Sequence, residues 1–121
     1  MDINDIFSKF FEVRDQIHYW HLQTSSYAEH KILNKFYEEW LELADKFIET
    51  YQGRYNQLTG DVKINLVNYK ANESKNYLTT ILQYLQGPCR KILYSQDTDL
   101  GAILDEMQIL TSQTLFLLNL K

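Results

Sequence analysis

The chain has 121 residues, of which 45% are hydrophobic, and its 12 Lys and Arg stand against 16 Asp and Glu for a formal charge of −4. That is enough apolar material for one domain, residues 1–121, with a core of its own; the acidic balance, with no basic tail, argues against direct binding of nucleic acid. The single cysteine, Cys89, has no partner for an intramolecular disulfide and no CxxC or Cys/His metal spacing.

One Pro and four Gly leave little punctuation for an all-β protein, and the apolar spacing runs at helical period throughout. Ile3, Phe7, Phe10, Ile17 and His21 form one stripe, which predicts helix one over residues 2–22. The hydroxyl residues after Gln23 interrupt it, and Ser26-Tyr27-Ala28-Glu29 has the form of a capping box opening helix two. Its stripe, Leu33, Tyr37, Trp40, Ala44, Phe47 and Tyr51, continues to Gln52-Gly53, about 38 Å of helix at 1.5 Å per residue. Residues 53–71 hold the turn formers Gly53, Asn56, Thr59 and Gly60 and the alternating Val62, Ile64 and Leu66. A lone strand there has no partner in the chain, so a long extended crossover packed on the bundle is expected.

Asn72 is placed to cap helix three, which carries Tyr77, Leu78, Ile81, Leu82 and Leu85 as far as Gly87-Pro88. That dipeptide should break the helix, leaving Cys89 to Tyr94 as one or two further turns. After Ser95-Gln96-Asp97, helix four runs from Leu100 through Ile103, Met107 and Leu110 to Leu118. The expectation is an all-α four-helix bundle with a long extended crossover between helices two and three.

His18, His21 and His30 lie within thirteen residues, and Glu38, Asp45 and Glu49 follow on the helix that carries His30. Imidazole and carboxylate together are a ligand set for iron, zinc or manganese. The residues alone leave the plainer alternative open, in which the histidines are hydrogen-bonded structural groups and the acids a solvated face. His30 and Asp45 are about 22 Å apart along one helix, too far to share an ion, yet point to similar sides because fifteen residues is close to four turns. Two copies of helix two packed antiparallel near Glu38 would bring His30 of one chain to Asp45 and Glu49 of the other, so such a site requires a dimer.

The segment His21-Leu-Gln-Thr-Ser-Ser-Tyr-Ala-Glu-His30, followed by Asp45 and Glu49, resembles the Dps-type mini-ferritins, whose motif has a histidine ending the first helix, a second in the next, and a DxxxE pair downstream. The chain also resembles a group of short phage-encoded ferritin-like proteins with the pattern HLQTxSYAEHK and a later YQG, here Tyr51-Gln52-Gly53, a likeness covering most of the chain. The mini-ferritin resemblance implies a ferritin-like fold, with His21 and His30 as metal ligands from one subunit and Asp45 and Glu49 from its two-fold partner. It implies iron or another divalent metal as cofactor and Fe(II) oxidation as the reaction. His18 competes with His21 for the first position because the link between the histidines is short, and Glu38 is a lesser candidate. Where the mini-ferritins carry a carboxylate one turn after the second histidine, this chain has Asn34, and no Glu-x-x-His pair supplies the intrachain di-iron site of larger ferritins.

The alternative is a phage-encoded helical protein of interaction or virion assembly without metal chemistry, its partners being virion components. Leu41 and Ile48, off the main stripe of helix two, would then need burial in an interface. Both readings expect a homo-oligomer through helix two. Both also expect no membrane partner, since no apolar run approaches the roughly 18 to 20 residues of a span. Met1 to Phe11 carries Asp2, Asp5 and Lys9 and does not read as a secretory leader, so the expected location is the cytosol, or a virion assembled there.

Overall fold

The computed structural model describes residues 2–121; Met1, which the sequence reading includes in the domain, lies outside them. Asp2 opens α1 (Ile3–Gln23) with a complete capping box: its carboxylate accepts from the Asp5 amide at 3.1 Å, and the Asp5 carboxylate accepts from the Asp2 amide at 2.9 Å. The box expected at Ser26 is only half formed. Ser26 Oγ accepts from the Glu29 amide, as a cap for α2 (Tyr27–Arg54) should, but the Ser26 amide donates to Thr24 Oγ1 instead of to Glu29. The Glu29 side chain has turned inward.

α3 spans Glu73–Gln86, and Asn72 before it adopts a left-handed conformation with φ of 66° and makes no side-chain cap, contrary to the expectation from its type. Asn tolerates that conformation better than most residues, so it serves the sharp entry into the helix rather than its amides. Gly87-Pro88 ends α3 and Pro88 sits at the start of the one-turn α4 (Pro88–Lys91), where its missing N–H costs nothing. α5 covers Thr98–Leu120. Among the described residues there is no strand, and no helix is long and apolar enough to cross a membrane.

Side-chain contacts at the two ends fix the path of the chain. The three-residue link 24–26 folds α2 back on α1. Arg54 and Tyr55, at the end of α2, bond Asp97 and Asp99 at the start of α5, whereas Lys121, just past the end of α5, lies 3.7 Å from Glu29 in the first turn of α2. α2 and α5 are therefore antiparallel. Ser74, in the first turn of α3, also bonds Glu29, so α3 starts where α2 starts, and residues 55–72 traverse the molecule from one end to the other. The four long helices neighbour one another in the order α1, α2, α5, α3 around one core.

Phe10, Trp40 and Phe47 form the centre of that core, with Phe10 edge-on to the other two rings at 5.5 and 5.4 Å. Each such pair adds about 0.5–1.5 kcal/mol beyond area burial. Trp40 can be fully buried because its Nε1 donates to the Phe10 carbonyl at 3.0 Å. Ile48, expected to need a partner, is buried within the chain; Leu41 remains partly exposed.

The traverse 55–72 is held by its backbone more than by its apolar side chains. Val62, Leu66 and Val67 stay exposed, while the Gln16 amide group both donates to the Val67 carbonyl at 3.0 Å and accepts from the Val67 amide at 2.8 Å. Trp20 Nε1 donates to the same carbonyl at 2.8 Å, and Gln23 accepts from the Tyr69 amide. An irregular segment must find partners for its backbone groups outside itself, and α1 supplies them.

Candidate functional site

The α1–α2 link brings the last turn of α1 against the first turn of α2, and with it His21 against His30. The rings stack, with centroids 3.9 Å apart and planes 18° from parallel. His30 Nδ1 donates to the His21 carbonyl at 2.8 Å, and His21 Nδ1 donates to the His30 carbonyl at the same distance. The first of these bonds caps one of the carbonyls left over at the end of α1.

Because a carbonyl only accepts, each Nδ1 carries a proton, and in the neutral form of each ring the lone pair is left on Nε2. Neither Nε2 has a hydrogen bond among the described residues, and no buried side-chain nitrogen or oxygen there lacks a partner, so neither Nε2 is wholly sealed from solvent. Imidazoles that ligate metals are typically oriented this way, with Nδ1–H on a backbone carbonyl and Nε2 outward.

His18 is exposed, stacks on Tyr37 at 4.4 Å and lies 5.9 Å from the His21 ring. The Tyr37 ring also meets His21 edge-on at 5.4 Å, and its hydroxyl donates to Asn34 Oδ1 at 3.1 Å. The amide oxygen at the position of the missing carboxylate is thus already in use. Glu38, Asp45 and Glu49 are exposed on α2, further along from His30, and do not join the histidines within one chain. Among the described residues, no three His, Cys, Asp or Glu side chains stand together as a metal-holding group.

Glu29, adjacent to His30, is the residue the sequence reading missed. It is 0% exposed, and its carboxylate accepts from Thr24 Oγ1 at 2.7 Å, the Tyr69 hydroxyl at 2.6 Å and Ser74 Oγ at 2.6 Å. Burial pushes its pKa up, but the Ser74, Tyr69 and Thr24 hydroxyls and the Lys121 ammonium together hold it below the ordinary value. Its partners come from sequence positions up to 92 residues away, beyond any local pattern.

A comparable knot closes the other end. The Tyr55 hydroxyl and Arg54 hold Asp97, and Arg54 forks onto Asp99 through two bonds of 2.9 and 2.6 Å; both carboxyls lie below their ordinary range, chiefly through these hydrogen bonds. Cys89 offers no nucleophile, since burial pushes its thiol up to about 12 despite the neighbouring Arg90.

The comparisons with known proteins bear on the same stretch. No curated protein and no solved structure matches the chain. A family model described as "Family of unknown function (DUF5856)" matches residues 21–118, from His21 at the end of α1 to the last turn of α5, and the chain therefore belongs to that family.

Proposed function

We propose that the chain is a ferritin-like metal-binding protein in which two copies pair through α2 and hold iron or another divalent metal between them. His21 and His30 of one copy would supply the imidazoles, and Asp45 and Glu49 of the other the carboxylates. The observation that carries the reading is the state of the histidine pair: both Nδ1 atoms are tied to carbonyls, and both Nε2 atoms are left without a protein partner among the described residues and are not sealed from solvent. The exposure of Asp45 and Glu49 supports it, because neither carboxylate is paired with another side chain among the described residues. Two imidazoles and two carboxylates form a donor set suited to Fe(II), Zn(II) or Mn(II). A bound iron ion would supply the one-electron chemistry of Fe(II) oxidation; the protein's part is to orient the rings, fix their tautomer and hold the ion at the boundary between subunits. The traverse 55–72, running the length of the bundle between α2 and a parallel α3, favours the ferritin-like topology.

The test is metal uptake by protein purified without a histidine tag, assayed by mass spectrometry after addition of Fe(II) or Zn(II). One or two ions per dimer are expected, lost in His30→Ala and in Glu49→Ala. Mixing the two variants discriminates further: in a mixed dimer one site carries both defects and the other is intact, so about a quarter of wild-type capacity returns. Wild-type protein that takes up neither metal overturns the reading. It would leave a helical interaction or virion-assembly protein without metal chemistry, which the exposed apolar side chains of α5 favour.

A further inference from the structure

Charged side chains on several faces of the bundle find partners within the chain, as Arg14 does in Asp15, Arg90 in Asp105 and Lys46 in Glu106. The outward face of α2 is different. Lys31, Lys35, Glu38, Glu42, Asp45 and Glu49 fall at alternating steps of four and three, so they form one stripe, and all of them are exposed. None makes an ion pair among the described residues. The Lys31 ammonium lies over the Tyr27 ring of its own helix, 5.9 Å from the centroid.

Signs along this stripe are sorted: both lysines precede Glu38, and the other acids follow it. That order is the weaker one for pairs within a helix, where an acid preceding a base is preferred. A face positive at one end and negative at the other, with neither end neutralised, is complementary to its own reverse. A parallel pairing would set lysine against lysine and acid against acid. Tyr27 and Leu41, 76% and 36% exposed, add apolar contact area beside the stripe.

We infer that this face is the interface of a homodimer that closes without metal, in which α2 of two copies lie antiparallel about a two-fold axis at Glu38 and the lysines of each copy are counter-ions to the acids of the other. The dimer rests on the α2 pairing of the proposed function and on none of its metal chemistry. Lys31 stands seven residues before Glu38 and Asp45 seven after, so the axis sets each Lys31 opposite Asp45 of the other copy; Lys35, three before, and Glu42, four after, meet nearly as closely. Any helix can be placed on such an axis, but here the charge changes sign across it. The two Glu38 carboxylates meet on the axis as a like-charged contact, with Lys35 of each copy within a turn. Exposed pairs of this kind set partner and orientation more than affinity, and they weaken in salt.

The experiment is light scattering on the full chain in chelator, over a concentration series at low and at high salt, with circular dichroism as the control for folding. Wild type is expected at twice the chain mass of 14.5 kDa at low salt and nearer the single-chain mass at high salt. Lys31→Glu and Asp45→Lys should each be monomeric, since each sets like charge against like at both contacts. Mixed in equal amounts they should dimerise again, because both contacts of the mixed pair are once more opposite in sign; a role for either side chain within its own chain gives no such rescue. Glu38→Gln should tighten the dimer. If a variant of the first pair fails to fold, Lys35→Glu and Glu42→Lys put the same question at the neighbouring contact. A monomeric metal-free wild type, a dimer that survives Lys31→Glu, or a mixture that fails to associate each overturns the inference. The metal reading is judged separately: His30→Ala should leave this dimer intact, and a metal-free dimer that takes up neither Fe(II) nor Zn(II) overturns that reading while supporting this one.

Discussion

Glu29 and His30 are neighbours in the first turn of α2, and the fold treats them in opposite ways. Glu29 points inward and every acceptor position that matters is taken, by three hydroxyls and a lysine drawn from the α1–α2 link, the traverse, α3 and the end of α5. His30 points toward α1, and only half of its bonding capacity is used. A buried group with all its bonds made is an anchor for the fold. A group with one nitrogen fixed and the other without a protein partner has its orientation prescribed and a lone pair to spare, which is what the proposed metal site requires. Polarity and burial alone do not separate the two, since His21 is nearly as buried as Glu29, at 7% against 0% exposed.

The sharpest way to break that comparison is Glu29→Ala. Three hydroxyls would lose their acceptor and the Lys121 ammonium its partner around a fully buried carboxylate, at a cost of about 2–4 kcal/mol in unfolding free energy by denaturant titration. A loss below about 0.5 kcal/mol, the level of an ordinary surface substitution, would remove Glu29 from the role of anchor. The same site sets an acid dependence. A carboxyl whose folded pKa lies below its unfolded value contributes stability that is present above the unfolded value and is lost as pH falls through the folded one. Stability should therefore decline as pH drops below the ordinary glutamate value of 4.5, and Glu29→Gln should make that decline shallower. It should not abolish it, because Asp97 and Asp99 at the opposite end are depressed as well, by Tyr55 and Arg54.

A smaller effect is expected where the traverse meets α1. Gln16→Ala removes both bonds to Val67 and leaves Trp20 Nε1 as the remaining hold on that carbonyl, for a loss of about 1–2 kcal/mol. Amide exchange at Val67 should quicken markedly in this variant while exchange in the core of α2 follows only the global change. Equal acceleration throughout would mean that the traverse unfolds only with the whole molecule.

These partners also show which parts of the fold the sequence disclosed. The helices were legible because their signals are local: apolar period, Gly87-Pro88 as a stop, Ser26 as a cap. His21 and His30 were placed together only by the mini-ferritin resemblance; in the fold their meeting follows from the short link between two helices. Glu29 was not legible, because a glutamate three residues after a capping serine looks locally like the second half of a capping box, and its partners at Tyr69, Ser74 and Lys121 are set by how distant segments return to one end. Gln16 was hidden likewise, 51 residues from Val67 and midway along a helix where a glutamine is ordinarily solvated. The alternation of Val62, Ile64 and Leu66 suggested that side chains fasten the traverse, whereas the backbone does.

The mildest change in stability should come from the histidine pair, and it is the most informative about function. His30→Ala deletes one hydrogen bond to the end of α1 and one ring contact, which predicts a loss of about 1 kcal/mol. If His30 is only a clasp between α1 and α2, His30→Gln, which can still donate to the His21 carbonyl, should restore stability and leave nothing else to measure. If it is a ligand, His30→Gln should recover most of the stability yet still bind Zn(II) at least tenfold more weakly than wild type, because an amide lacks the imidazole lone pair. Titration calorimetry with Zn(II) beside a denaturation curve on the same samples separates the two. Parallel recovery of stability and affinity would place His30 with Glu29 among the anchors, and divergence between them would keep the two neighbours in their opposite roles.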